Sequence, residues 1–202
     1  MIKTSNIKWS LFIIFIFFLS DSLIAQTNYQ ESGKKSIKTS NTGMFVLGGW
    51  AIANISTGAY GWSKYSGQTK YFHQMNLLWN TVNLSIAGIA LYNGLHFDAS
   101  LSSAEEIIAK HNNTIRLLLI NSTLDIGYIG TGFLLKHLAV NSEKRTDLLK
   151  GYGNSLILQG SFLLIFDLCL YGILRSMNAE FTDGINFSLA NDMKGLHLVF
   201  NF

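Results

Sequence analysis

Residues 72–87 read FHQMNLLWNTVNLSIA, and three asparagines stand among Leu, Trp, Val and Ile. Asn76, Asn80, Asn83 and Ala87 fall on one stripe of a helix, because about 3.6 residues complete each turn. Helices in lipid gain no hydrophobic drive from pairing; small residues and interhelical hydrogen bonds hold them together instead. The amides therefore read as glue between membrane helices.

Composition agrees. Of 202 residues, 49% are hydrophobic and 13% charged, against roughly 25% charged in soluble domains. Mean hydropathy is positive. The net charge is +3, and the bases are scattered without the aromatic-interleaved stripe of a nucleic-acid binder. The single cysteine, Cys169, excludes an intramolecular disulfide, and its apolar setting predicts a buried, inert thiol. The chain has no proline. Transporters often interrupt helices with Pro or Gly to free backbone groups, so straight helices argue against a carrier without excluding one.

Residues 1–25 carry Lys3 and Lys8, then LFIIFIFFL, then a stretch ending in Ala25. That order predicts an export signal peptide, with a core too short to span a bilayer. A polar linker is expected over 26–42, a transmembrane helical domain over 43–177 and an extracytoplasmic tail over 178–202. Four apolar windows fall at 43–62, 76–97, 115–135 and 155–175, each close to the length that crosses about 30 Å of hydrocarbon. Lys64 and Lys70 lie in one loop, and Lys136, Lys144, Arg145 and Lys150 in another. These basic loops belong on the cytoplasmic side, which puts both mature termini outside, as an export signal also requires. Lys34, Lys35 and Lys38 run against that rule. Ser103 and Glu106 form a capping-box pattern that predicts a short surface helix, or equally a solvated turn with no role. The tail INFSLANDMKGLHLVFNF alternates and reads as a β-hairpin.

Gly49, Ala53, Thr57 and Gly61 recur four apart and offer a smooth face for helix packing or self-association. Gly127, Gly130 and Gly132 gather near the inner end of the third window. A count of helical rise sets Asn54 near the depth of Asn83, Asn80 near Gln159, and Asp167 between Asn121 and Asp125. A central aspartate costs about 2.5–3.5 kcal/mol to insert, while interhelical polar contacts return only about 0.6–2 kcal/mol each. Asp125 and Asp167 should therefore face inward, with at least one carboxyl neutral and donating.

Two readings stand for these side chains. The amides Asn54, Asn76, Asn80, Asn83, Asn121 and Gln159 suit a structural seam. Asp125 and Asp167 equally suit a proton relay or a cation site, since ionisable groups within a membrane are functional candidates. His73, beside Phe72 and Met75, has no second histidine at helical spacing to complete a metal or haem set. Trp50, Trp62 and Trp79 fit an interfacial belt or bundle packing. No phosphate loop, nucleophile elbow or zinc signature is present. No catalytic residue, metal or cofactor is assigned.

The residues GMFVLGGWAIANISTG and YFHQMNLLWNTVNLSIAG carry a resemblance, centred on Gly48, Gly49, Trp50, Asn54, Phe72, His73, Met75, Asn76, Trp79, Asn80 and Asn83. From Gly43 to Phe202 the chain resembles a family of small bacterial multi-pass membrane proteins classed only as a domain of unknown function. The resemblance implies an inner-membrane address and no mechanism. It also implies that the cluster works as one unit across the first hairpin.

The expectation is thus an all-α membrane protein, a four-helix transmembrane bundle with a signal peptide and a hairpin-like tail. It would be a non-enzymatic scaffold or accessory subunit whose partners are the lipid bilayer and a second copy or another membrane protein. The alternative is an ion- or proton-coupled carrier using Asp125 and Asp167. An intramembrane enzyme or haem protein built on His73 comes third.

Overall fold

The computed structural model describes residues 4–178 and 181, with side chains from Tyr29 onward. Four helices follow one another: α1 (Thr4–Lys64), α2 (Gly67–Leu95), α3 (Ala104–Leu138) and α4 (Thr146–Ser176). A 3-10 turn, Ala139–Asn141, sits between the last two. The export signal read at 1–25 precedes the described side chains, and the hairpin expected in the tail lies outside the described residues.

Residues 26–42, a linker by composition, belong to α1. Tyr29, Ser32, Gly33 and Ser36 are buried at helical spacing. Gly33 packs on Ile107, and Ser36 bonds His111, both of α3. Packing of this stripe overrides the weak helix propensity of a Ser/Thr-rich segment. The Ser103–Glu106 capping box is complete, yet it opens the whole of α3 rather than a separate surface helix. Nothing between Ala104 and Leu138 breaks the helix, since proline is absent.

The connection from α1 to α2 is two residues long and turns on Gly67, whose φ of 59° is left-handed. Such a φ suits glycine, which has no Cβ to clash. Tight connections make α1–α2 and α3–α4 antiparallel hairpins. The hairpins meet with α2 on α4 and α1 on α3. At the α3–α4 contact, a Cβ on Gly132 would lie 2.7 Å from the carbonyl oxygen of Gly153. The reciprocal distance at Gly153 is 2.6 Å, so the two backbones touch. Gly127 and Gly130 meet nothing within 4 Å.

The interior has two characters. Toward the α2–α3 loop it is mainly apolar, with Tyr29, Ala99, Ile107, Leu174, Met177 and Phe181 buried around Ser32, Ser36 and His111. Toward the opposite end it holds buried Asn54, Asn76, Asn80, Ser155 and Gln159. The outside of α2 is apolar where its inside is polar. Leu78, Val82, Ile86 and Ile89 are exposed, while Asn76, Asn80 and Asn83 are buried. That inverts the amphipathic helix of a water-soluble protein.

Among the described residues, two helical segments are long and apolar enough to cross a membrane, Ala104–Asn141 and Thr146–Ser176. Only 22% and 33% of their apolar windows is buried within the molecule. The expectation of four such helices is met at these two. The amides of α2 and the Gly, Ser and Thr of α1 lower the averaged hydropathy of the other pair.

Cys169 is exposed, contrary to the buried thiol expected. An apolar window predicts burial only when the helix interior is where apolar side chains go, and here many of them face outward.

Candidate functional site

Gln159 of α4 is completely buried and sits at the centre of the polar interior. Its Oε1 accepts from the indole Nε1–H of Trp50 at 2.9 Å. Its Nε2 donates to Oδ1 of Asn54 at 3.2 Å and to Oδ1 of Asn76 at 3.0 Å. One amide thus ties α4 to both α1 and α2. An indole N–H can only donate, which fixes the orientation of the Gln159 amide.

The surrounding amides are oriented by the same logic. Asn54 Nδ2 donates to the carbonyl of Trp50 at 2.9 Å, turning its Oδ1 to Gln159. Asn80 Nδ2 donates to the carbonyl of Asn76 at 2.8 Å, and its Oδ1 accepts from Asn83 at 3.4 Å. Asn76 Oδ1 takes a second bond, from the Ser155 hydroxyl at 2.6 Å. Backbone carbonyls only accept, so donor and acceptor roles run consistently through the chain of bonds. The Trp50 ring stacks on Phe162 at 3.8 Å between centroids and closes one side.

Asp125 of α3 and Asp167 of α4 are both buried and meet through their side chains. Asp125 Oδ2 is buried and meets no amide, hydroxyl or ring donor. The Nδ1 of His73 and the Nε1 of Trp79 are likewise buried without a partner. Trp79 meets Tyr128 of α3 edge-on at 4.6 Å. His73 is half-buried, with Tyr65 stacked on it at 5.5 Å and Phe72 edge-on at 5.4 Å.

The structure therefore joins Asn54, Asn76, Asn80, Asn83 and Gln159 in one network and Asp125 with Asp167 in a second pair. His73 lies near the α1–α2 turn, against Gly61. Asn121 is exposed and lines a cavity between α1, α2 and α3. It shares a helical row with Asp125 but belongs to neither group. The face Gly49, Ala53 and Thr57 is also exposed, and only Gly61 of that set is buried. Inside the bundle α1 uses the neighbouring row, Leu47, Ala51, Asn54, Gly58 and Gly61.

Sequence reasoning missed Ser155 as a network member, though it lies one turn from Gln159; Trp50 it named in the resemblance cluster and as belt or bundle packing, not as a network member. It also missed His111, which is buried at the apolar end. Its Nδ1 lies 2.7 Å from the Ser36 hydroxyl, and its Nε2 2.7 Å from Asn178 Oδ1. An amide oxygen only accepts, so Nε2 carries a proton and donates to Asn178; in the neutral ring Nδ1 then accepts from the Ser36 hydroxyl. Burial pushes this imidazole below the ordinary histidine value, and the Asn178 bond opposes part of that. Among the described residues no three His, Cys, Asp or Glu side chains gather as a metal set.

A family of unknown function, DUF6992, matches residues 46–168, more than half of the chain. That interval holds the amide network, both aspartates and His111. No curated protein and no solved structure matches the chain.

Proposed function

We propose, for a chain that belongs to this family of unknown function, that it is a four-span protein of the bacterial inner membrane acting as a scaffold or accessory subunit. The inverted surface of the helices supports the membrane reading. Residues 39–63 and 71–97 carry no charge, and 117–135 and 151–174 carry only Asp125 and Asp167. At a rise of about 1.5 Å per residue these stretches measure about 28–40 Å, enough to cross roughly 30 Å of hydrocarbon with some tilt. Exposed hydroxyls on them bond back to their own helix: Ser56 to Ile52, Thr57 to Ala53, Thr81 to Leu77, Ser85 to Thr81, Thr123 to Leu119 and Thr131 to Gly127. A hydroxyl facing lipid has few other acceptors to choose from.

The basic turns at Lys64–Lys70 and Lys136–Lys150 face the cytoplasm in this reading. The apolar end of the bundle, with its buried Tyr29, Ile107, Met177 and Phe181, then stands outside. Water there favours an apolar core, whereas lipid favours a polar one.

The observation that carries the scaffold reading is the closure of the amide network on itself. Gln159, Asn54, Asn76 and Asn80 spend their bonds on one another, on Trp50 and on Ser155. Such side chains hold helices in register. The reading predicts that Asp125→Asn and Asp167→Asn leave folding, membrane retention and co-purifying membrane partners unchanged. A second reading, an ion- or proton-coupled carrier, is favoured by the paired carboxyls and the unpartnered Asp125 Oδ2. Purified protein in liposomes separates the two. Proton or cation flux that both Asn variants abolish would overturn the scaffold.

A further inference from the structure

A cavity of about 250 Å³ lies between α1, α2 and α3, apart from the amide network and the carboxyl pair. Its lining changes along the bundle axis. Ser36, Asn93 and Lys110 stand at the end toward the α2–α3 loop, and Met44, Ile86 and Leu118 at the deeper end. Lys110 Nζ is held there by the Asn93 carbonyl at 3.5 Å and over the Phe97 ring at 4.5 Å. An ammonium has three donors, and no Asp or Glu is among the described lining residues. The cavity therefore has a cationic, amide-rich mouth above a floor of Met44, Ile86 and Leu118 that the Asn121 amide interrupts.

We propose that this cavity binds an anionic phospholipid of the outer leaflet, its phosphate at Lys110 and the start of one acyl chain along Ile86 and Leu118. The proposal rests on the membrane reading above, in which the mouth lies at the outer headgroup level and the floor points into hydrocarbon. The polarity of the lining then runs in the direction of a lipid of that leaflet. The volume falls below the roughly 300–1,000 Å³ of pockets that enclose a whole ligand, so the remaining chain length stays in the bilayer. One of the bases that defy the charge rule, Lys38, finds a reason here as well. Lys38 tops a neighbouring apolar groove of Val46, Phe166 and Leu170 between α1 and α4, where a second lipid phosphate would meet it.

The test uses the full chain in neutral detergent and native mass spectrometry. Phosphatidylglycerol and phosphatidylethanolamine with identical chains are offered, with inorganic phosphate as competitor. The wild type should retain phosphatidylglycerol about fivefold better, the worth of one basic residue at an anionic membrane surface. Lys110→Gln should remove the preference, Lys110→Arg should keep it, and Ala90→Phe, which fills the floor, should lower retention of both lipids. Equal retention by the wild type, or an undiminished preference in Lys110→Gln at an unchanged lipid-free melting midpoint, would overturn the proposal. So would complete displacement of lipid by inorganic phosphate, which would mark a small-anion site. Resistance of the membrane-bound protein to carbonate extraction reads the membrane assignment separately. Release by carbonate sinks both claims; retention without lipid preference sinks only this one.

Discussion

Replacing Gln159 by Leu tests whether the buried amides hold the bundle together. The substitution removes three interhelical hydrogen bonds, to Trp50, Asn54 and Asn76. At about 0.6–1.7 kcal/mol each, the sum is about 2–5 kcal/mol. Leu returns little, because lipid already solvates apolar side chains as well as a bundle interior does. A loss of about 3 kcal/mol shifts the folding equilibrium by roughly a hundredfold or more. The assay is reversible unfolding in mixed micelles, followed by tryptophan fluorescence, since Trp50 loses both its acceptor and its setting against Phe162. Asn121→Leu is the matched control, an exposed amide outside the network, and should cost about nothing. A cycle pairing Gln159→Leu with Asn54→Ala should show coupling of about 1 kcal/mol between directly bonded partners. A cost for Gln159→Leu no larger than that of Asn121→Leu, or zero coupling with Asn54, would refute the reasoning.

Gly132→Ala and Gly153→Ala each place a methyl against the facing carbonyl and should cost about 1–3 kcal/mol, measured by the same unfolding. Gly127→Ala meets open space and should be neutral or stabilising by up to about 1 kcal/mol. Ser103→Ala removes the hydroxyl that accepts from the Glu106 N–H, while its backbone N–H still donates to the Glu106 carboxylate, and should cost about 1 kcal/mol, visible as faster hydrogen exchange over residues 104–107. His111 lies one turn outside the third span, and burial lowers its affinity for a proton in the folded state. The unfolded chain then binds the extra proton first, so stability falls as pH drops below about 6.5 and levels off beneath the folded value. His111→Gln should flatten that slope in a pH series of melting midpoints, and an unchanged slope would assign it to another group.

Much of the architecture was readable before any coordinates. The four helices follow from apolar windows and short connections, and the capping box was correct to the residue. The row Asn76, Asn80 and Asn83 is a consequence of spacing alone, and all three amides are buried. The failures share a cause. On α1 the windows offer small residues on more than one face, so periodicity does not choose between the Gly49–Ala53–Thr57 row and the Leu47–Ala51–Asn54–Gly58 row. On α3, Asn121 and Asp125 share a row, yet the helix passes α4 at one and lines a cavity at the other.

Sequence alone thus determined that four apolar segments are helical, where uncharged stretches begin and end, and that amides recur on one side of α2. These are properties of consecutive residues, set by backbone geometry and by the local balance of apolar and charged side chains. Tertiary structure alone decided that Gln159 would reach two other helices, that Asp125 would meet Asp167, and that His111 would join Ser36 to Asn178. Those contacts join residues 42 to 109 positions apart. They depend on how closely helix backbones approach, as Gly58 does at Leu77, Gly151 at Phe72 and Gly132 at Gly153, and no spacing along a single helix fixes that.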